Sequence, residues 1–397
     1  MVIEEREAAR LTREYVDEAL EYGLEALRVC ANCGLCLQAC TTYQATRDPR
    51  LSPPYRLRAA VKALRGERLT EDEVVALYTC NLCGGCTLAC PFAIEVLRVV
   101  HAARIRLRER GVIPPSLARV SEAAARSGHS FVSDPGEVRK RLVEAARATG
   151  ASVDEPCDAL YAPTPFDTTL YPNVLPEVLS LLHRVGLHPG VSTGVLDAGG
   201  NVGIDANDLA RGLVMLGRAV EAAEKLGARL LVVGPCGADW KLVLLARELG
   251  AIRHERVKCI YDVLAERGVR VDCRDCLLYT SCTFARLDPE RSVVRIAAAR
   301  LPRDKPPYTR CCGGAGGLNY LHEEPYASIR RRVYQWRFRV LESQARGKPA
   351  AIPCVKCYTV YRHGALLAKK PLYPLRLLTN LLEERTRGEE GGSASQP

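Results

Sequence analysis

Along the N-terminal stretch, apolar side chains recur every three to four positions. Leu11, Tyr15, Val16, Ala19, Leu20, Tyr22 and Leu27 form a broad stripe with Glu and Arg between, which predicts a helix over 1–29. That helix is expected to cover the module after it. Further helices are predicted over 56–65 and 71–78. Residues 92–150 read as mostly helical and charged, with Asp134-Pro135 opening a helix that Gly150 closes. From Asp158 the pattern changes to short apolar runs alternating with helices. Helices are predicted over 176–185, 208–226 and 238–249, closed by Gly186, Gly227 and Gly250, with a buried strand over 228–233. After 261–267 the same grammar returns: a long helix over 324–345, a strand over 350–352 and a helix over 355–367. Alternating strands and helices predict an α/β domain on a largely parallel sheet.

Composition sets the outer limits. A chain of 397 residues has room for two or three domains. Its net charge of +10, carried mostly by Arg, points weakly to acidic partner surfaces or anionic headgroups. No apolar run approaches the ~20 residues of a membrane span. The opening Met-Val-Ile-Glu-Glu-Arg-Glu predicts no secretory signal. The expected location is cytoplasmic, or peripheral on the cytoplasmic face of a membrane through a partner. Eighteen cysteines are then too many for filler, and clustered thiols in such a chain read as metal-binding or redox-active.

Two runs carry the clearest chemistry. Cys30-x-x-Cys33-x-x-Cys36-x-x-x-Cys40 is followed by Cys80-x-x-Cys83-x-x-Cys86-x-x-x-Cys90-Pro91. This is the ferredoxin spacing for two [4Fe–4S] clusters, in which the fourth cysteine of each run ligates the other cluster. One ligand set is therefore Cys30, Cys33, Cys36 and Cys90. The other is Cys80, Cys83, Cys86 and Cys40. Thr41 stands where a proline usually follows the first run. A pair of zinc sites would not explain the repeated three-residue gap or Pro91. The long interval between the runs, with its two helices, predicts a helical module.

A third thiol group lies towards the C-terminus. Cys311 and Cys312 head the glycine-rich stretch Gly313-Gly314-Ala315-Gly316-Gly317, and Cys354-x-x-Cys357 follows a short apolar run. Adjacent cysteines close a strained ring if they bond to each other, whereas two neighbouring thiolates suit iron or another soft metal. Cys276, with Cys273 as its competitor, supplies a fifth thiol. A degenerate internal repeat accompanies this site. Leu196-Asp197-Ala198-Gly199-Gly200 mirrors the Cys311–Cys312 loop, and Gly234-Pro235-Cys236-Gly237-Ala238-Asp239 mirrors the stretch around Cys354 and Cys357. The earlier copy keeps only Cys236, too few thiols for a cluster, and is expected to form the opposite wall of a cleft.

These motifs resemble a known family. The N-terminal module is similar to the α-helical ferredoxin domain of heterodisulfide reductases and of the iron–sulfur subunits of fumarate reductase and glycolate oxidase. Ser52-Pro53-Pro54-Tyr55-Arg56 loosely matches the turn such proteins carry between the runs. Two ferredoxin runs followed by a Cys-Cys-Gly domain resemble the D-type subunit of heterodisulfide reductase, the sulfite-reductase-associated protein DsrK, and the iron–sulfur subunits of anaerobic glycerol-3-phosphate and glycolate dehydrogenases. The resemblance implies a further [4Fe–4S] cluster, non-cubane where disulfides are reduced. Carried over by position, its ligands and reaction centre are Cys276, Cys311, Cys312, Cys354 and Cys357.

The expected organisation is multidomain, α followed by α/β. An α-helical ferredoxin domain (1–118) leads through a helical connector (119–154) to a degenerate first Cys-Cys-Gly-type half (155–256). A cluster-bearing second half (257–385) and a disordered tail (386–397) follow. The expected activity is oxidoreductase, as one subunit of a complex, moving electrons through the two clusters to or from the third centre, with a disulfide, thiol or quinone as substrate. No flavin or nicotinamide motif is present, so a partner is expected, either a flavoprotein or a membrane cytochrome b. Two alternatives are an electron-transfer subunit of a flavin dehydrogenase feeding quinone, and a non-catalytic iron–sulfur scaffold. Nucleic acid is not expected as a partner. The arginines around Tyr334, Trp336 and Phe338 read as a solvated helix face beside an aromatic stripe, and Cys157, Cys259 and Cys282 as ordinary buried thiols. His101 and His129 read as solvated or packed.

Overall fold

The computed structural model describes residues 3–131, 134–252, 256–287, 292–300, 311–371 and 375–382. The tail over 386–397, Arg310 and His254 lie outside the described residues. The first part is helical. Helix Glu5–Val29 buries Leu11, Tyr15, Val16 and Ala19 against helices Pro53–Leu64, Val96–Glu109 and Leu209–Lys225. It therefore covers the cysteine-rich module and also reaches the α/β part. Thr70 and Glu73 form a reciprocal capping box that starts helix Glu71–Tyr78.

Two fully parallel sheets follow. The first contains β1 (Ser152–Val153), β2 (Ala159–Ala162), β3 (Pro189–Val191), β4 (Leu230–Val233) and β5 (Val257–Cys259), in the order β1-β3-β2-β4-β5. The second contains β6 (Val271–Leu278), β7 (Ala297–Arg300), β8 (Ala350–Ile352) and β9 (Leu375–Leu377), in the order β7-β6-β8-β9. Leaving β1 aside, the two sheets lay four strands in the same relative order. Strands β2 and β4 are buried along nearly their whole length, as parallel strands with helices on both faces must be. The stretch expected as a connector ends against the first sheet: helix Pro135–Thr149 packs on helix Val174–Arg184, and β1 becomes the sheet's edge.

The loops after β4 and β8 meet face to face. Val355 N–H donates to Pro235 O at 2.9 Å. The glycine-rich loop headed by Cys311 also packs on the helical module. A Cβ on Gly316, whose φ is +62°, would lie 2.6 Å from the Cys80 carbonyl oxygen, so only glycine fits that approach.

Candidate metal centres

The two ferredoxin-type runs fold alike. In each, the residue before the second cysteine and the glycine after it adopt positive φ: Asn32 and Gly34 in the first, Leu82 and Gly84 in the second. These left-handed turns curl the backbone round the first three sulfurs. Each run then enters a short helix, Leu35–Ala39 or Gly85–Ala89, that ends on its fourth cysteine. The two short helices pack on one another, so each delivers its last cysteine to the other run. Cys30, Cys33, Cys36 and Cys90 line one small cavity. Cys40, Cys80, Cys83 and Cys86 line a second.

Burial dominates the protonation of Cys36, Cys40 and Cys86. It pushes Cys36 up to about 12, helped by Cys40 and Cys30, and holds Cys86 well above an ordinary thiol. Cys40 is raised by burial too, but Arg56 opposes the shift. The Arg56 guanidinium is buried and donates to Cys40 Sγ at 3.2 Å and to Ala76 O at 2.8 Å. No group of three or more His, Cys, Asp or Glu side chains among the described residues is set to hold a single metal ion. Four soft sulfur donors ringing a cavity, in a setting that disfavours bare thiolates, fit an iron–sulfur cluster whose irons supply the positive charge.

The C-terminal thiols gather at the carboxyl ends of β6 and β8, where ligands bind in sheets of this kind. Cys311, Cys312, Cys354 and Cys357 are all buried there. The Cys311 thiol is hydrogen-bonded to those of Cys282, Cys312 and Cys83, which with burial hold it well above its ordinary pKa. Cys312 is held well below by hydrogen bonds from Cys311 and Cys357. Burial raises Cys354, but hydrogen bonds from Cys357 and from Gly237 N–H, at 3.3 Å, leave it below an ordinary thiol. Cys276 lies within β6, and its thiol donates to Cys273 O at 2.9 Å.

This group sits directly against the second ferredoxin-type site. Arg104, fully buried, donates to Cys80 O at 2.6 Å and to Gly316 O at 2.7 Å. The Asn81 amide, turned so that its nitrogen faces the loop, donates to Gly313 O at 2.9 Å. Lys241 donates to Leu82 O at 2.6 Å. Burial opposes its charge, but Cys282, Cys311 and Cys83 restore it and leave the ammonium above its usual pKa.

In the first sheet's loops the corresponding positions are engaged internally. Asp197 accepts from Ser130 N–H at 3.0 Å and Gly199 N–H at 2.8 Å. Asp239 accepts from Gly200 N–H at 2.9 Å. Across the seam, the Lys356 ammonium pairs with Asp205, both fully buried. His101 and His129 are packed, held by Tyr15 and Thr168 respectively. Sequence reasoning missed four contributors: Cys282, Arg56, Lys241 and Lys356. Arg56 was visible as the end of the Ser-Pro-Pro-Tyr-Arg turn and Lys356 as a cation inside a Cys-x-x-Cys pair. Cys282 belongs to no recognisable spacing, and nothing marked Lys241.

A family model for a 4Fe-4S dicluster domain matches residues 26–94. The chain is 27% identical over 247 residues to an Hdr-like menaquinol oxidoreductase iron-sulfur subunit of Archaeoglobus profundus, covering 54% of this chain and 44% of the relative. An Hdr-like menaquinol oxidoreductase iron-sulfur subunit 2 of Archaeoglobus fulgidus is 26% identical over 246 residues, with the same coverage. The C-type subunit of the H(2):CoB-CoM heterodisulfide,ferredoxin reductase of Methanothermobacter thermautotrophicus is 23% identical over 179 residues, 44% of this chain and 84% of the relative. The chain thus spans under half the length of the first two relatives. No solved structure matches it. Its N-terminal part is a 4Fe-4S dicluster domain, and the chain is similar to Hdr-like iron–sulfur subunits.

Proposed function

We propose that this chain is the iron–sulfur electron-transfer subunit of a redox complex, with a third metal centre at Cys311 and Cys312 as its reaction site. Cys30, Cys33, Cys36 and Cys90 would hold one [4Fe–4S] cluster, and Cys80, Cys83, Cys86 and Cys40 a second. Cys311, Cys312, Cys354 and Cys357, with a further cysteine from the β6 region, would hold a third. When bound, such clusters supply reversible one-electron transfer. The observation that carries the reading is the bridge made by Arg104, which donates to Cys80 O at 2.6 Å and to Gly316 O at 2.7 Å and so joins a ferredoxin-type site to the Cys-Cys-Gly loop.

The chain's own residues prepare these sites. Arg56 gives a charged N–H to the Cys40 sulfur, a contact that raises a cluster's potential. Arg104 and Asn81 clamp the glycine loop to the Cys80–Cys83 turn. The shared order of four parallel strands supports descent of the two sheets from one duplicated unit whose first copy has lost its ligands. The Lys356–Asp205 pair and the Gly237–Cys354 contact make that copy the opposite wall of the third site.

A partner is expected at the first site. Cys33 is exposed, and Leu35 and Phe92, which line the same small cavity, are each about half exposed, an apolar rim suited to a second redox subunit. Such a partner would be a flavoprotein or a cytochrome b. No helix among the described residues is long and apolar enough to cross a membrane. A disulfide or a quinone is the proposed substrate class.

The test is iron and sulfide analysis of anaerobically purified protein. Three four-iron clusters mean about 12 irons per chain. Cys312→Ser should lower the count by about 4 and abolish turnover while both ferredoxin-type EPR signals persist. An unchanged iron count in Cys312→Ser would overturn the third site.

A further inference from the structure

A cleft of about 580 Å³ opens where helices Pro115–Ser127, Pro135–Thr149 and Leu209–Lys225 meet the loop after β3. No cysteine lines it. Each helix sends one exposed arginine to it that no acid holds: Arg126, Arg139 and Arg218. Among the described residues, Arg126 and Arg218 make no hydrogen bond or ion pair. Arg139 uses only its Nε, on Thr193 O at 3.1 Å, so its two terminal nitrogens keep their donors.

The acids of the cleft do not cancel these charges. Asp208 is held by Arg211 at 3.1 Å and, from outside the cleft, by Arg108 at 3.1 Å. Asp197 is buried and accepts from Ser130 N–H at 3.0 Å, from the Ser130 hydroxyl at 2.5 Å and from Gly199 N–H at 2.8 Å. Glu5 is the one remaining carboxylate, set against three guanidiniums. Val195, Leu196 and Met215, all buried, give the cleft an apolar floor.

We propose that this cleft binds a nucleoside diphosphate, its phosphates against Arg126, Arg139 and Arg218 and its base on the apolar floor. The volume is in the usual range for a small-molecule site. Like charges gathered in one cleft repel one another, and a multiply charged anion relieves that. An arginine fork takes two oxygens in one plane. Three forks from three helices exceed what one planar carboxylate can accept, whereas a diphosphate presents oxygens in several directions. The site is independent of the Cys311–Cys312 centre and of the redox reading.

The test is calorimetric titration of the anaerobic holoprotein with ADP, pyrophosphate and adenosine. One saturable site is expected for ADP, weaker binding for pyrophosphate and none for adenosine. Arg126→Ala and Arg218→Ala should each weaken ADP binding roughly 10- to 100-fold, the worth of hydrogen bonds to a charged group. Both side chains are exposed and unpartnered among the described residues, so neither change should unfold the chain. Arg68→Ala, exposed and outside the cleft, should bind as the parent does. Four results would each overturn the proposal: no saturable ADP binding, unchanged affinity in either cleft variant, an equal loss in Arg68→Ala, or pyrophosphate binding as tightly as ADP.

Discussion

The Thr41 hydroxyl donates to the Cys311 carbonyl oxygen at 3.0 Å, across 270 residues of sequence. Thr41 directly follows Cys40, and Cys311 heads the glycine-rich loop. The bond ties the end of one ferredoxin-type run to the start of the C-terminal thiol group. A proline at position 41, as is usual after such runs, has no hydroxyl and could not make it. The departure from the usual run is thus one of the places where the ferredoxin-type module is joined to the C-terminal thiol group.

Thr41→Val keeps the shape and removes the donor. It leaves the Cys311 carbonyl buried without that partner, which costs about 1–3 kcal/mol. The expected outcome is a lower melting temperature and an altered spectrum from the third centre, with the Cys30–Cys90 site unchanged. If the third-centre signal is identical to the parent's, the tie is only structural.

Cys33→Ala and Cys83→Ala should differ. Cys33 is exposed whereas the C-terminal thiols are buried, so its loss should remove one ferredoxin-type signal and leave the rest. Cys83 is hydrogen-bonded to Cys311, so its loss should remove the second signal and disturb the third. Retention of both ferredoxin-type signals in both variants would show that the crossed ligand sets are misassigned.

Much of this arrangement is legible in the sequence. The cysteine runs are spaced by ligand geometry, which tolerates no drift, and the helices announce themselves through their glycine stops at Gly150, Gly186, Gly227 and Gly250. The strands β3, β5 and β7 are not legible. Pro189-Gly190-Val191 and Val257-Lys258-Cys259 are three residues long, and parallel pairing overrides their weak local preference. The burial of Arg337 is also hidden. It sits in a row of solvated arginines, yet its guanidinium turns inward to the Tyr361 hydroxyl at 3.1 Å. Tertiary contacts set such positions, and no periodicity encodes them.

Lys356→Met should be severe. It strands the Asp205 carboxylate in a buried site, and breaking one side of a buried pair costs about 3–5 kcal/mol. Lys356→Met combined with Asp205→Asn removes both charges and should recover most of the loss. The side-chain amide placed at position 205 would still accept from Gly317 N–H, as Asp205 does at 3.1 Å. Thermal unfolding of the two single variants and the double variant measures this. A double variant as unstable as Lys356→Met alone would mean the pair does not set stability.

Asp239 gives the pH dependence a sign. Burial, reinforced by Asp197, pushes its carboxyl up to about 7 from an ordinary 3.8. The folded state therefore favours the protonated form. That contribution is fully present below the ordinary value and is lost as pH rises through about 7. Asp239→Asn should flatten this fall in stability, and the difference between the two denaturation profiles across the range isolates it. Parallel profiles would show that Asp239 does not titrate in that range.

The proposed third centre would take its fifth thiol from Cys282. Resemblance to the Cys-Cys-Gly family pointed to Cys276, by its Asp-Cys-Leu context. Cys276 lies inside β6, with its thiol turned to Cys273 O at 2.9 Å. Cys282 lies past the carboxyl end of that strand, as Cys354 lies past the end of β8, and its thiol meets that of Cys311. The neighbouring Thr283 hydroxyl donates to Gly237 O at 3.0 Å, which fixes this segment against the same loop that donates to Cys354. Strand ends carry ligands in parallel sheets because the loops converge there. Cys282→Ser should therefore change the third-centre EPR signal and lower its iron occupancy, while Cys276→Ser should leave both near the parent's. The reverse result, iron lost with Cys276→Ser and kept with Cys282→Ser, would return the ligand to position 276 and make Cys282 a packing residue.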